Sequence, residues 1–210
     1  MRIVVNEFIS LDGVVQAPGG ASEDSEGGFA HGGWSIPFFD PEVMGAEIFA
    51  GMETTDAMLF GRRTWRGMAD AWPGRAGDPY ADQMNALPKY VASRTLRADE
   101  MEWNSTLLPA ESTLDAIAEL RRSEGRDLTV WGSASLVRDL LGHDLIDELR
   151  LMIEPIVLGG GKRIFADDGR SVPLQLVSAV TTATGVQVCT YRPAATPNSD
   201  ESRAGAEPAR

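Results

Sequence analysis

Leu59-Phe60-Gly61-Arg62-Arg63-Thr64-Trp65 and Thr129-Val130-Trp131-Gly132-Ser133-Ala134-Ser135-Leu136 carry one pattern twice: a short apolar run, a glycine, small or cationic residues, then helical periodicity. An apolar run of this length that ends at glycine reads as a buried strand. The helix that follows offers free backbone N–H groups and a partial positive charge at the strand end. Outward from these two junctions, strand-like and helix-like segments alternate. Ile3 to Ile9 reads as strand, Pro41 to Met52 as helix with Asp40 as its N-cap, Ala57 to Phe60 as strand and Arg62 to Ala71 as helix. Lys89 to Ser93 reads as strand, Thr113 to Arg122 as helix, Leu128 to Trp131 as strand and Ala134 to Leu141 as helix. This alternation predicts a parallel sheet covered on both sides. From Glu148 the pattern changes: Leu149 to Leu158, Leu174 to Thr184 and Val186 to Arg192 are strand candidates with no long helix between them, and Gly185 marks a hairpin turn. The predicted class is α/β, a mixed and mostly parallel sheet with antiparallel strands added at one side, in a single domain over residues 1–192. Residues 193–210 contain no Val, Ile, Leu, Met or aromatic residue and are expected to form a disordered tail.

Composition narrows the function classes. The 210 residues are 43% hydrophobic and 24% charged, without an apolar run near the length of a membrane span, so no membrane association is expected. The net charge of -12 would repel a phosphate backbone, which argues against a general nucleic-acid partner. Cys189 is the single cysteine, which excludes an intrachain disulfide or a cysteine-cluster zinc site and fits a reducing cytoplasm. Three apolar residues before Glu7 are too few for a signal peptide. Lys89 and Lys162 are the only lysines among 19 cations, so an arginine here is weak evidence of function by itself.

Three strand ends suit phosphate. At the first, Arg62 and Thr64 follow Gly61 at a helix N-terminus, although Arg62, Arg63 and Arg66 also read as solvated surface charge. At the second, Gly132, Ser133, Ala134, Ser135 and Leu136 allow a close backbone approach, with Ser133 as a plain N-cap the alternative. At the third, Ser93 and Arg94 follow the strand Tyr90 to Ala92, in what is otherwise an ordinary polar loop. Together they suggest a dinucleotide with an extra phosphate. Gly159-Gly160-Gly161-Lys162 is not a phosphate-binding loop of the Walker type, because Ile156 and Arg163 stand at its defining positions. His31 and His143 lack the neighbours of a catalytic triad or a metal site, so no metal is expected. Lys162 has glycines around it rather than the apolar pocket of a Schiff-base lysine.

In order, Ser10-Leu11-Asp12-Gly13, Leu59 to Trp65, Val91 to Leu96, Val130 to Leu136 and Glu154-Pro155-Ile156-Val157-Leu158-Gly159-Gly160-Gly161 resemble the dihydrofolate-reductase-like superfamily. They are most similar to the C-terminal reductase domain of the bifunctional riboflavin-biosynthesis deaminase-reductase, in stand-alone form. The resemblance implies a homodimer that binds NADPH across the strand ends. Gly61, Arg62 and Thr64 would meet the adenosine-side phosphates, Ser93 and Arg94 the adenine and its 2'-phosphate, and Gly132 to Leu136 the pyrophosphate, with Val15 near the nicotinamide. It also implies hydride transfer to a carbonyl or imine of a small heterocycle, with 5-amino-6-(5-phosphoribosylamino)uracil as the family's substrate. Dihydrofolate reduction and a silent NADPH-binding module are the alternatives, and a purely structural protein would need three coincidences.

Trp34, Pro37 and Asp40 resemble the tryptophan, proline and acid trio of dihydrofolate reductase, which makes Asp40 a candidate catalytic acid beside its reading as a cap. Glu47 is a second candidate or part of a solvated helix face. Asp12 is a third, or it shapes its turn. Trp34, Glu154, Gly159 and Gly160 are expected at the substrate. The loop from Ala17 to Gly33 carries Glu23, Asp24 and Glu26, and this charge is expected to oppose a ribose phosphate unless cations intervene.

Overall fold

The computed structural model describes residues 1–75 and 77–194. Its sheet has the strand order β4-β3-β2-β5-β1-β6-β8-β7. The strands are β1 (Arg2–Ser10), β2 (Thr55–Gly61), β3 (Lys89–Ala92), β4 (Ser105–Leu107), β5 (Asp127–Trp131), β6 (Glu148–Glu154), β7 (Leu174–Thr181) and β8 (Gln187–Pro193). All neighbouring pairs from β4 to β6 are parallel, and β8 runs antiparallel to both β6 and β7. The helices are α1 (Met44–Thr54), α2 (Arg62–Ala71), α3 (Pro79–Ala86), α4 (Thr113–Arg122) and α5 (Ala134–Gly142).

Period-two alternation sorts the apolar residues onto two faces. Ile3 and Val5 of β1, Ala57 and Leu59 of β2, and Leu128 and Val130 of β5 pack with Ile117 of α4 and Val137 and Leu140 of α5. Met58 and Phe60 of β2 turn the other way, toward Trp65 of α2 and Met84 of α3. Further along that second face Met44 of α1 packs on Met152, Val186 and Val188. Each fully buried aliphatic side chain contributes about 1.5–3 kcal/mol, so the two faces carry most of the stabilisation. At the N-terminal edge, buried Glu148 accepts from Arg150 and Arg192, and Arg2 bridges Asp127 and Glu148.

Several boundaries differ from the expectation. Residues Pro41 to Val43 form a turn and α1 begins at Met44; Asp40 Oδ1 accepts from the N–H groups of Glu42 and Val43 and Asp40 O from Met44 N, so Asp40 closes the turn that leads into the helix. β6 ends at Glu154, where Pro155 has no N–H to continue the ladder. Helix α3 and the three-residue β4 were not anticipated, although Asp78-Pro79 is a helix-start signal and the Asp78 carboxylate does accept from Tyr80 and Ala81 N–H. β8 runs on to Pro193, and Ala194 N donates to Pro173 O. The remainder of the expected tail, residues 195–210, lies outside the described residues. Among the described residues no helix is long and apolar enough to cross a membrane, and no cluster of potential metal ligands occurs.

Lys89 is fully buried at the start of β3. Its ammonium donates to Asn85 O at 2.9 Å and lies 4.3 Å from the centroid of the Trp103 ring. Burial pushes its pKa down to about 8. Between that value and the ordinary lysine range the unfolded chain holds the proton and the folded chain does not, so folding stability rises with pH there. We expect Lys89→Met to remove up to ~1.4 kcal/mol per pH unit of that rise. Paired urea titrations of wild type and variant between pH 7.5 and 10 check this, and parallel curves would contradict it.

Candidate active site

The parallel register brings the C-terminal ends of β2, β5, β1 and β6 to one edge, with Asn6 level with Trp131 and Ser10 level with Glu154. Helices α2 and α5 start from this edge. Gly61 is the N-cap of α2 and Ser133 that of α5, and neither helix has a side-chain cap, so the first-turn N–H groups are left for other acceptors. Ser133 adopts a left-handed conformation, with φ 67° and ψ 69°. Its hydroxyl accepts from Gly61 N at 2.8 Å and donates to Thr64 Oγ1 at 2.8 Å. A Cβ at Gly61 would stand 2.7 Å from Ser133 Oγ, and one at Gly132 would stand 3.2 Å from Thr64 Cγ2. The two helix starts therefore interlock, and glycine is required where they touch.

The arginines divide. Arg63 pairs with Glu26, and Arg66 pairs with Glu100 at 3.3 Å. Arg62 and the exposed Arg94 have no ion pair among the described residues. Ser93 Oγ accepts from the N–H groups of Thr95 and Leu96, both at 3.1 Å, closing the turn that presents Arg94.

Asp12 acts as a clasp. Its carboxylate accepts from Leu158 N at 3.0 Å, Gly159 N at 2.9 Å, Ser10 Oγ at 2.7 Å and Arg163 Nη2 at 3.0 Å. These donors, led by the Leu158 N–H, hold the carboxyl far below the usual range. With its acceptor positions taken, Asp12 ties the β1 turn to residues 155–163, the arrangement its turn-shaping reading describes. Asp40 is engaged likewise: Oδ1 accepts from Glu42 and Val43, and Oδ2 from Ala183 N at 3.2 Å, so it pins the β7–β8 hairpin to the start of α1. Glu47 is exposed on α1 and has no hydrogen bond among the described residues, which also places it on a solvated face.

The loop after β1 closes over the edge. Buried Trp34 donates through Nε1 to Gln16 O at 2.7 Å. Gln16 is itself buried, donates to Asp24 O and Glu26 O, and accepts from Lys162 N. Val15 N donates to Lys162 O at 2.9 Å and its side chain joins the core beside Ala134 and Leu136. Lys162 pairs with Asp24 and Glu26 and Arg63 with Glu26, so two of the loop's three acidic groups are ion-paired, while Glu23 accepts from Gly19 N. Between this loop and exposed Gly159 and Gly160 lies a cavity of about 520 Å³ that reaches Gln16, Phe29, His31 and Gly160.

Two buried carboxyl groups remain underused. Glu154 is fully buried, accepts from Ser35 Oγ at 2.6 Å through Oε1, and has no partner for Oε2. Burial pushes its pKa up to about 7 against the lowering by Ser35. Glu7 is 4% exposed and its Oε1 has no partner. Gln16, Ser35 and Glu7 were not singled out in the sequence. The one available signal was a glutamate inside the apolar run of β1.

The arrangement is a dihydrofolate-reductase-like fold with two uncapped helix N-termini at one edge of the sheet. A dihydrofolate reductase from Enterococcus faecalis, solved in complex with NADP(H), has TM-score 0.54 at 14% identity, covering 91% of this chain and 96% of that one. A putative riboflavin biosynthesis protein from Shewanella sp. PV-4 has TM-score 0.71 at 22% identity, covering 93% of this chain and all of that one. In sequence, the uncharacterised protein YyaP of Bacillus subtilis (strain 168) is 29% identical over 198 residues, 90% of this chain and 94% of its own. The chain belongs to the RibD C-terminal domain family, whose model matches residues 1–188.

Removing the clasp tests its role. Asp12→Ala leaves the N–H groups of Leu158 and Gly159 and the Arg163 guanidinium without their acceptor, and is expected to cost about 2–4 kcal/mol of stability. Limited proteolysis should then cut within residues 155–163, and denaturant titration should give the loss; an unchanged midpoint would contradict the assignment.

Proposed function

We propose that the protein is an NADPH-dependent reductase acting on a carbonyl or imine of a small heterocycle. The observation that carries this reading is the interlocked pair of uncapped helix N-termini, with Arg62 beside them and Arg94 across the edge. Gly61 and Gly132 let the two helix starts close on each other through Ser133, and the free first-turn N–H groups of α2 and α5 are the donors that a diphosphate takes, so these residues fit the dinucleotide. Arg62 and Arg94 supply charge for a 2'-phosphate. Family membership and the likeness to a dihydrofolate reductase solved with NADP(H) support the same cofactor.

NADPH, when bound, supplies the hydride. The protein's part is to orient the two rings and to hold a proton. Trp34 and Gln16 hold the covering loop that excludes water. Glu154, titrating near neutrality and linked to Ser35, is the group suited to exchange a proton with the substrate. It takes the place of Asp12, Asp40 and Glu47 in the sequence-based reading. The substrate end comprises Trp34, Ser35, Glu154, Gly159 and Gly160. The ribosylaminopyrimidine of riboflavin synthesis is the family's choice, and the pairing of Asp24 and Glu26 with Lys162 and Arg63 reduces the electrostatic objection to its phosphate. Dihydrofolate and a silent NADPH-binding module are the competing outcomes of a substrate screen. A cytoplasmic setting agrees with the free, buried Cys189.

We further propose a homodimer through β7. From Gln175 to Thr181 every residue of this edge strand is exposed, none is charged, and Leu176, Val177 and Val180 are about half accessible. The strand has a register irregularity between Leu176 and Ser178 but no charge or proline, and the apolar surface it leaves exposed calls for a partner.

Fluorescence titration of wild type should give NADPH binding at least tenfold tighter than NADH, with Arg62→Ala and Arg94→Ala each narrowing the preference; equal affinities would remove the 2'-phosphate assignment. Leu176→Glu with Val180→Glu should convert a dimer to a monomer in light scattering. A wild type that elutes as a monomer would dismiss the interface.

A further inference from the structure

No helix follows β6 among the described residues, so one face of the sheet lacks a helical cover where β6, β8 and β7 lie side by side. Helices α4 and α5 supply Ile117, Val137 and Leu140 to that face over β1, β2 and β5. Beyond them Leu151 is level with Cys189, and Cys189 with Ala179, whereas Met152 and Val188 turn to the other face with Met44 of α1. A cavity of about 350 Å³ opens on the uncovered face. It is lined by Ile9, Leu151, Ile153 and Phe165 and bordered by the turn Asp12–Gly13 and by Arg163.

Charge selects the occupant of this face. The chain carries -12, so two copies repel, and a contact between them is least opposed where neither surface bears net charge. From Leu174 to Thr181 β7 has no charged residue, and the two charged groups at the cavity, Asp12 and Arg163, pair with each other at 3.0 Å. Large apolar side chains stand in water around it: Leu11, Phe165, Leu176 and Val177 are 45–63% exposed. The sheet order β1-β6-β8-β7 puts these projections of β7 three strands from the recess beside β1. One surface thus carries both a knob and a hole, which is what a two-fold contact between identical chains requires. A two-fold axis over β6 and β8 lies midway between them and sets each β7 against the other copy's cavity. The cavity shares its turn with the clasp, since Asp12 accepts from Leu158 N and Gly159 N. A side chain seated there backs that turn, and in the reductase reading, on which this last step alone rests, Gly159 borders the substrate.

We propose that a second copy of this chain covers the open face, with Leu176 of each β7 seated against Phe165 at the other's cavity, and that each protomer thereby holds the other's residues 155–163 in place. The β7 dimer is then a face-to-face contact that completes the site, not an edge-to-edge pairing of strands.

Phe165→Lys and Leu176→Glu place opposite charges on the two sides of this contact. Light scattering should find wild type dimeric and each variant monomeric with native circular dichroism. Limited proteolysis should cut each variant within residues 155–163 at least tenfold faster than wild type. Mixing the two variants should restore a dimer, because one of its two contacts is then the native pair and the other sets a lysine against a glutamate. Phe49→Glu, at a comparably exposed position of α1 on the opposite face, should remain dimeric. A monomeric wild type, a dimeric Phe165→Lys or a mixture that stays monomeric overturns the contact. Monomeric variants cut no faster than wild type overturn the coupling to residues 155–163. None of these readouts involves a dinucleotide, so a protein that dimerises in this way and binds no NADPH overturns the reductase reading alone.

Discussion

The parallel register of β1 between β5 and β6 is the constraint on which the rest depends. With Val5 level with both Val130 and Leu149, the central strands are buried on both faces and their C-terminal ends meet at one edge. Because β1 outruns β5 by the residues Glu7 to Ser10, that edge has a step instead of a flat rim. The turn Ser10–Gly13, the covering loop and the helix starts at Gly61 and Ser133 all gather around the step.

Once gathered, these pieces are held by polar groups that have little to do with chemistry. Asp12 and Asp40 spend their carboxylates on backbone N–H groups, and Ser133 links two helices through one hydroxyl. Asp24, Glu26, Lys162 and Arg63 neutralise one another over the cavity. Satisfied groups of this kind fix position, and those left unsatisfied among the described residues are the uncapped N-termini, Arg62, Arg94, Glu154 and Glu7. A buried carboxyl oxygen without a partner is costly to a fold, and Glu7 Oε1 and Glu154 Oε2 are the two that stand so among the described residues.

Much of this was legible in the chain. Apolar runs ending at Gly61 and Gly132 announced two strand-to-helix junctions, and the change of pattern after Glu148 announced the β7–β8 hairpin. Such features are local, set by side-chain periodicity and by backbone freedom at glycine. The three-residue β4 escaped because so short a run has no period to read, and Asp40 misled because one residue served as both a cap and a plausible acid.

The order of residues by itself determined the fold class and the two helix junctions, since these follow from spacing along the chain. Only the tertiary structure decided which acids are free. Asp12 lost its freedom to Leu158 and Gly159, and Asp40 to Ala183, partners more than 140 positions away that no local pattern brings near. Glu7 and Glu154 kept theirs because the strands that enclose them bring apolar side chains and a single serine rather than donors enough to satisfy them.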